Sequence, residues 1–250
     1  MRLVDDWRGR GGLRSHKRTG NIHRRSSKEI HRPGHQNVTL SCTIVDYGSG
    51  NLFSVTEALK RCNVTPVLSS DPDVVANSDR LILPGVGAFG RAADQLRKTG
   101  LDAAVLRYLD RERPFLGICV GMQILMETGE EYGIHQGLGV FSGSVSKITA
   151  QHDDGRPVRV PVIGWNTPRE AFTGSFAGTP FSAVGANAAY YFVHSYAVQC
   201  KTEGVVTAVT DVGTTQVTAA IARDHVYGVQ FHPERSGLDG QSFLDGFLRL

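Results

Sequence analysis

The chain has 250 residues, of which 40% are hydrophobic and 20% charged, and its formal net charge is +3. These values are ordinary for a soluble globular protein, and the chain is long enough to bury a core without disulfide staples. No apolar run approaches the ~18 residues that a membrane helix needs, so we expect no membrane partner. Four cysteines without CxxC or zinc-type spacing predict reduced thiols in a cytoplasmic protein.

The positive charge is concentrated at the N-terminus. Residues 1–41 carry ten Lys/Arg and three Asp/Glu, a net charge of +7, so the remainder carries −4. This segment has few apolar residues and no periodicity, which predicts a basic, disordered extension, with the folded domain at 42–250. A transit peptide or a downstream translation start remain alternatives. Because the excess charge belongs to the extension, we expect no nucleic-acid partner for the domain. His31 and His35 flank Pro33, which argues against a helical metal site, and no metal is predicted.

The first half of the remaining chain alternates between short apolar strands and amphipathic helices. The predicted strands are 41–47, 64–70, 79–85 and 114–118, and the predicted helices are 51–62, 88–98, 101–111 and 120–128. This alternation indicates an α/β fold with a parallel sheet covered on both faces by helices.

The second half is rich in Val, Tyr and Thr and is punctuated by Gly, Asp and Pro. The predicted strands are 145–148, 156–165, 189–198, 204–210, 216–223 and 226–234, and a last helix is predicted at 239–249. We therefore expect one domain with a mixed, mostly parallel sheet and an antiparallel extension.

A cysteine flanked by glycines lies where the fourth strand meets a helix. Gly117-Ile118-Cys119-Val120-Gly121 has the form of the nucleophile elbow, in which small neighbours allow a sharp strand-to-helix turn. Amides at the start of the next helix would favour the thiolate and hold a developing oxyanion. The alternative is a packed core cysteine beside structural glycines.

A nucleophilic cysteine needs a base, and the base needs an orienting partner. His232 and Glu234 lie two residues apart with Pro233 between them. An extended chain would project both side chains to the same side, so that Glu234 could orient an imidazole facing Cys119. A solvated turn with an incidental His and Glu is the alternative.

Three glycines follow the third strand. Gly85, Gly87 and Gly90 match G-x-G-x-x-G, but no acidic residue ends the next strand as a dinucleotide-binding fingerprint requires. The competing interpretation is a loop whose free amides lie beside the elbow and line an anion hole. No cofactor is predicted.

Six motifs together resemble one family of proteins. They are VDYGSGNLFSV, LPGVGAFG, GICVGMQILME, VIGWN, YYFVHSY and FHPERSG, in this order along residues 42–250. GICVGMQ with FHPE resembles the class I (triad) glutamine amidotransferases, and the whole set is similar to the glutaminase subunits of imidazole glycerol phosphate synthase in histidine biosynthesis.

The resemblance implies a fold, a reaction and a set of site residues. The fold would be that of class I glutamine amidotransferases, and the reaction would be hydrolysis of L-glutamine to glutamate and ammonia by a triad of Cys119, His232 and Glu234. The implied oxyanion donors are the backbone amides at Gly85, Val86 and Val120, and the implied substrate-binding residues are Gln123, His194, Ser195 and Tyr196. A buried strand end for Tyr196 and an exposed helix position for Gln123 are the alternatives.

The resemblance also implies a partner. The ammonia would pass to a separate cyclase subunit, a (βα)₈ barrel that forms imidazole glycerol phosphate and the aminoimidazole carboxamide ribonucleotide, in a heterodimer. Asn51, Trp165 and Arg235 match positions at the family's inter-subunit face, although Trp165 could instead be core. Arg235 stands where the family commonly has Lys. A glutaminase of another pathway, a free-standing cysteine hydrolase and a non-catalytic homologue remain alternatives.

Overall fold

The computed structural model describes residues 41–250, and the expectations for residues 1–40, His31 and His35 included, lie outside this range. Its strands are β1 (Ser41–Val45), β2 (Thr65–Ser69), β3 (Leu81–Gly85), β4 (Phe115–Cys119), β5 (Met126–Gly129), β6 (His135–Gln136), β7 (Phe141–Lys147), β8 (Val162–Asn166), β9 (Arg169–Glu170), β10 (Tyr190–His194), β11 (Tyr196–Cys200), β12 (Val206–Val212), β13 (Thr215–Arg223) and β14 (Val226–Val229). Its α-helices are α1 (Leu52–Arg61), α2 (Pro72–Ala76), α3 (Phe89–Lys98), α4 (Leu101–Leu109), α5 (Val120–Gln123) and α6 (Gly237–Leu248).

The main sheet is mixed, and its strand order is β2-β1-β3-β4-β14-β13-β12-β9. The strands from β2 to β14 run parallel, and β13, β12 and β9 extend the sheet in antiparallel fashion. Every residue of β3 and β4 is buried, as expected for central parallel strands covered on both faces. The α/β fold predicted from the alternating pattern is confirmed. None of the helices between residues 41 and 250 is long and apolar enough to cross a membrane.

The helix predicted after Cys119 is much shorter than expected. It ends at Gln123, and Met126–Gly129 instead forms β5, which pairs with β7. The side chains of Ile124, Leu125 and Met126 are all buried, so the segment has no solvent-facing side of the kind that an amphipathic helix presents. Tertiary pairing thus overrides the helix propensity of this stretch.

The predicted strand 189–198 is interrupted at Ser195. Its first half, β10, pairs with β8 in a two-stranded sheet, whereas β11 pairs with β7 in a four-stranded sheet that also contains β5 and β6. The predicted strand 156–165 is likewise confined to β8, and α2 was not predicted. The change of sheet at Ser195 places the end of β10 and the start of β11 beside Cys119, at the carboxyl end of β4.

An aromatic cluster fixes the segment that follows β14. Tyr190 stacks on Phe231 with ring centroids 4.0 Å apart, and Phe243 of α6 meets Phe231 edge-on at 5.4 Å. Since Phe231 is fully buried and precedes His232, this packing limits where the imidazole can lie.

Candidate active site

Cys119 sits in a strained backbone conformation at the end of β4. Its φ of 54° and ψ of −111° lie in a region that residues with a Cβ rarely adopt. Glycines make the turn possible: a Cβ on Gly121 would overlap the Leu83 carbonyl oxygen, and a Cβ on Gly117 would lie 2.7 Å from the Gly121 carbonyl oxygen. The elbow therefore packs directly against the β3 backbone.

The short helix α5 changes the electrostatic argument made from the sequence. One turn of four residues carries little macrodipole, so the following helix cannot be the main stabiliser of a thiolate at Cys119. Individual backbone amides and side-chain donors around the sulfur have to supply that stabilisation instead.

His232 and Glu234 lie in a turn beyond β14, the strand that neighbours β4. The His232 backbone is extended, but Pro233–Arg235 forms a 3₁₀ turn rather than the extended chain expected from the proline. The two side chains still meet, with His232 Nδ1 2.8 Å from Glu234 Oε1, and both are almost fully buried. The His232 amide also donates to the Tyr191 carbonyl oxygen at 2.9 Å, which ties the turn to β10.

The charges around His232 favour its protonated form. Burial alone would lower the pKa of His232, but hydrogen bonds to Cys119 and Glu234, and the charges on both, raise it above its ordinary value. An imidazolium between a thiolate and a carboxylate is the arrangement that a cysteine nucleophile and its base need before attack.

His194 is the second buried imidazole of the site. Its Nδ1 lies 2.9 Å from the Tyr196 carbonyl oxygen, which can only accept, so Nδ1 carries the hydrogen. Burial lowers the pKa of His194, and a neutral ring leaves a lone pair on Nε2, which has no hydrogen-bond partner among the described residues.

A cavity of about 440 Å³ opens in front of Cys119. Its lining includes the predicted residues Val86, Cys119, Val120, Gln123, His194, Ser195, Tyr196 and His232. Gly85 and Glu234 do not line this cavity. Gly85 is paired with Cys119 across β3 and β4, and Glu234 contacts His232 at Nδ1, the ring nitrogen held by the carboxylate.

The glycine loop after β3 borders the cavity next to the elbow. Gly87 has a φ of 84°, which glycine adopts at no steric cost, and a Cβ on it would meet nothing within 4 Å. The Val86 carbonyl oxygen accepts from Ser49 Oγ at 3.1 Å, and the Pro84 carbonyl oxygen accepts from Tyr47 Oη at 3.0 Å. The loop thus has anchored carbonyls on either side of the Gly85–Val86 peptide, and the anion-hole interpretation of these glycines stays a prediction.

The sequence analysis did not predict two residues of the site. Glu131 lines the cavity, and its Oε2 accepts from the Phe89 amide at the start of α3 at 2.9 Å. Gln230 is fully buried, and its Nε2 donates to Cys119 Sγ at 3.5 Å. The register of the strands would have predicted Gln230, because Val229 pairs with Ile118 and the next residue, Gln230, therefore comes level with Cys119.

The three residues predicted at an inter-subunit face lie in or near the turn that carries His232 and Glu234. Asn51 Nδ2 is 3.5 Å from Glu234 Oε1, and the Arg235 guanidinium lies 4.7 Å from the Tyr191 ring centroid. Trp165 is 57% exposed and meets Tyr191 edge-on at 6.0 Å, so it is not a core residue.

Comparison with known proteins agrees with this geometry. The family model for glutamine amidotransferase class-I matches residues 43–249, so the chain belongs to the class I glutamine amidotransferases. The structure of PurLQS from Thermotoga maritima has a similar fold, with a TM-score of 0.63 and 20% identity over 84% of this chain and 98% of that one.

Curated relatives identify a family within this class. The imidazole glycerol phosphate synthase subunit HisH of Syntrophotalea carbinolica is 40% identical over 210 residues, 82% of this chain and 97% of that protein. The HisH subunit of Bacillus subtilis strain 168 is 39% identical over 207 residues, 83% of this chain and 95% of that protein. Within its class, the chain belongs to the family of imidazole glycerol phosphate synthase HisH subunits.

Proposed function

We propose that residues 41–250 form a glutaminase domain that hydrolyses L-glutamine to glutamate and ammonia, since Ser41 already belongs to β1, and that residues 1–40 are an extension dispensable for this reaction. The observation that carries the proposal is the meeting of Cys119 and His232 in one cavity, with Glu234 2.8 Å from the far ring nitrogen. Membership of the class I glutamine amidotransferases supports glutamine as the substrate. The cytoplasmic location stays a prediction.

The reaction would proceed through a thioester. The Cys119 thiolate attacks the side-chain amide carbon, and His232 gives its proton to the departing nitrogen, which leaves as ammonia. Water then attacks the thioester carbon while His232 takes a proton from the water. Cleavage of the carbon–sulfur bond releases glutamate and restores the thiolate. Glu234 fixes the ring orientation and stabilises the imidazolium in both steps.

The developing oxyanion would be held by backbone amides. Val120 follows the nucleophile directly, and Gly85, the last residue of β3, pairs with Cys119, so the Gly85–Val86 peptide begins level with the nucleophile. Losing one such donor costs about 3 kcal/mol in hydrolases, enough to switch the reaction on or off. The glycines on either side of Val86, Gly85 and Gly87, make reorientation of that peptide sterically cheap, so partner binding could set the activity.

Substrate binding would rely on the polar lining of the cavity. Gln123 Nε2 donates to the Tyr196 carbonyl oxygen at 3.2 Å and to Gln230 Oε1 at 3.0 Å, so its own side-chain oxygen is the group left to accept from glutamine. The Glu131 carboxylate suits the substrate ammonium group. Ser195, Tyr196 and His194 complete this wall of the cavity.

The partner would be a cyclase subunit with a (βα)₈ barrel, which uses the ammonia to make imidazole glycerol phosphate and the aminoimidazole carboxamide ribonucleotide. The names of the relatives describe a subunit of a synthase. Exposed Ile163 and Trp165 on β8, with Arg235 over Tyr191, offer apolar and cationic contacts of the kind that protein interfaces use. Asn51 would join this face to the triad through Glu234.

The test is a mixing experiment. The full chain is incubated with L-glutamine alone and with candidate barrel cyclases carrying their nucleotide substrate, and glutamate release is measured, with Cys119→Ala as the blank. We expect the histidine-pathway cyclase to increase the rate strongly. Full activity without any partner would favour a free-standing hydrolase, and activation by a different synthase would assign another pathway.

A further inference from the structure

We propose that Gln230 is a positioning residue that holds the Cys119 sulfur in its anionic, attacking state through an N–H···S hydrogen bond. The inference rests on the proposed function only in taking Cys119 as the nucleophile. Gln230 lies outside the triad, the oxyanion hole and the substrate residues described above.

The position of Gln230 is set by the central sheet. β14 pairs in parallel with β4, and the register from Val226 opposite Phe115 to Val229 opposite Ile118 puts Gln230 level with Cys119 at the carboxyl edge. The Gln230 backbone amide donates to the Ala219 carbonyl oxygen at 2.9 Å, which anchors it to β13. With 0% of its surface exposed, the side chain has no water to compete for its amide.

The orientation of the Gln230 amide follows from its neighbours. The Tyr196 carbonyl oxygen can only accept, so Gln123 must present its NH₂ group there. The same NH₂ group lies 3.0 Å from Gln230, which must therefore offer its oxygen. That choice turns the Gln230 NH₂ group toward Cys119 Sγ, 3.5 Å away. One backbone carbonyl thus orients both glutamines.

A neutral amide donor has a distinct chemical effect on a thiol. It stabilises the thiolate more than the thiol, because hydrogen bonds to an ionised acceptor are roughly twice as strong as neutral ones. Unlike a lysine, an amide neither titrates nor competes with His232 for the proton. Since α5 is a single turn, Gln230 supplies stabilisation that the elbow helix does not.

The experiment measures the alkylation of Cys119 by iodoacetamide as a function of pH, located by peptide mass spectrometry, in the absence of glutamine. Gln230→Met keeps the volume and removes the donor, and Gln230→Glu keeps the shape and puts a negative charge beside the sulfur. Gln241→Met is the matched control, since Gln241 Nε2 donates to the remote Cys62 Sγ. All variants keep the titratable groups around the site, which are Tyr47, Glu131, Tyr132, His194, Tyr196, His232 and Glu234. Gln230→Glu adds one carboxyl group to this set.

We expect Gln230→Met to lower the alkylation rate about tenfold at pH 6 and to leave the high-pH plateau unchanged, as for a lost hydrogen bond to an ion. Gln230→Glu should lower it further, and Gln241→Met should match the parent. A parent-like profile in Gln230→Met, or a lower plateau with an unchanged midpoint, would overturn the proposal. The readout needs no turnover, so a failure of the proposed glutaminase activity would appear separately.

Discussion

The imidazole of His232 and the carboxylate of Glu234 are joined at 2.8 Å across a turn that contains only Pro233 between them. The pair is buried, and Glu234 Oε2 has no hydrogen-bond partner among the described residues. The negative charge of Glu234 is therefore strongly coupled to the protonation of His232, so the pair must affect both stability and catalysis.

The first prediction concerns the pH dependence of stability. The pKa of His232 is raised in the folded state, so its contribution is fully present below about pH 6.5, the unfolded value, and is lost as pH rises through the folded pKa. Below about pH 8.5, the ordinary cysteine value, the proton gained by His232 is offset by the proton that the Cys119 thiolate lacks, so the net effect on stability appears only above it. From about pH 8.5 to pH 10 the free energy of unfolding should fall more steeply for the parent than for Glu234→Gln. Urea unfolding at several pH values measures this, with exposed Glu203→Gln as control. Equal slopes would contradict the coupling.

A second prediction separates chemistry from strain at the elbow. Cys119→Ala and Cys119→Gly should both abolish glutamate release, with a loss of roughly a millionfold as for other missing nucleophiles. Because Cys119 has φ 54° and ψ −111°, the glycine variant should be more stable than the alanine variant by about 1–2 kcal/mol. Circular dichroism and urea unfolding check the fold and the order. Residual turnover in either variant would exclude Cys119 as the nucleophile.

The sequence predicted the structure correctly where neighbouring residues along the chain determine it. The parallel sheet was predicted from the alternation of strands and helices in the first half of the chain and from the apolar strand that ends at Cys119. Both signals are local, because the glycines and the buried runs are contiguous in the sequence. The length of α5 could not be predicted from the sequence, because β5, which follows it, forms only by pairing with β7. Gln230 and Glu131 were missed for a related reason: their roles depend on strand register and on the start of α3.

A third prediction tests the close approach of the elbow to β3. In Gly121→Ala the new methyl group would overlap the Leu83 carbonyl oxygen, and neither backbone can move without breaking the β3–β4 pairing. We expect a loss of about 3 kcal/mol or more in the free energy of unfolding. Gly185→Ala is the control, because a Cβ there meets nothing within 4 Å. Similar stability of the two variants would show that the elbow tolerates a wider separation.

A fourth prediction concerns the N-terminal extension. β1 begins at Ser41, and the class I glutamine amidotransferase match begins at residue 43. Removing residues 1–40 should therefore leave cyclase-dependent glutamate release within about twofold of the full chain, since every residue of the proposed site is retained. Steady-state kinetics of the two proteins, at equal cyclase concentration, make the comparison. A large loss would give the extension an active part in the complex.

The last prediction addresses the proposed partner face. Trp165 is 57% exposed and its ring centroid lies 6.0 Å from that of Tyr191, so Trp165→Ala should change the free energy of unfolding by less than about 1 kcal/mol. Exposed tryptophans are frequent hot spots, and truncation should weaken cyclase binding at least about thirtyfold. Phe172→Ala is the matched control, because Phe172 is similarly exposed but follows β9 at the outer edge of the main sheet. Calorimetric titration with the cyclase measures both affinities. If Phe172→Ala weakens binding and Trp165→Ala does not, the partner docks at the β9 edge of the main sheet. The contact from Asn51 to Glu234 then cannot link docking to the triad.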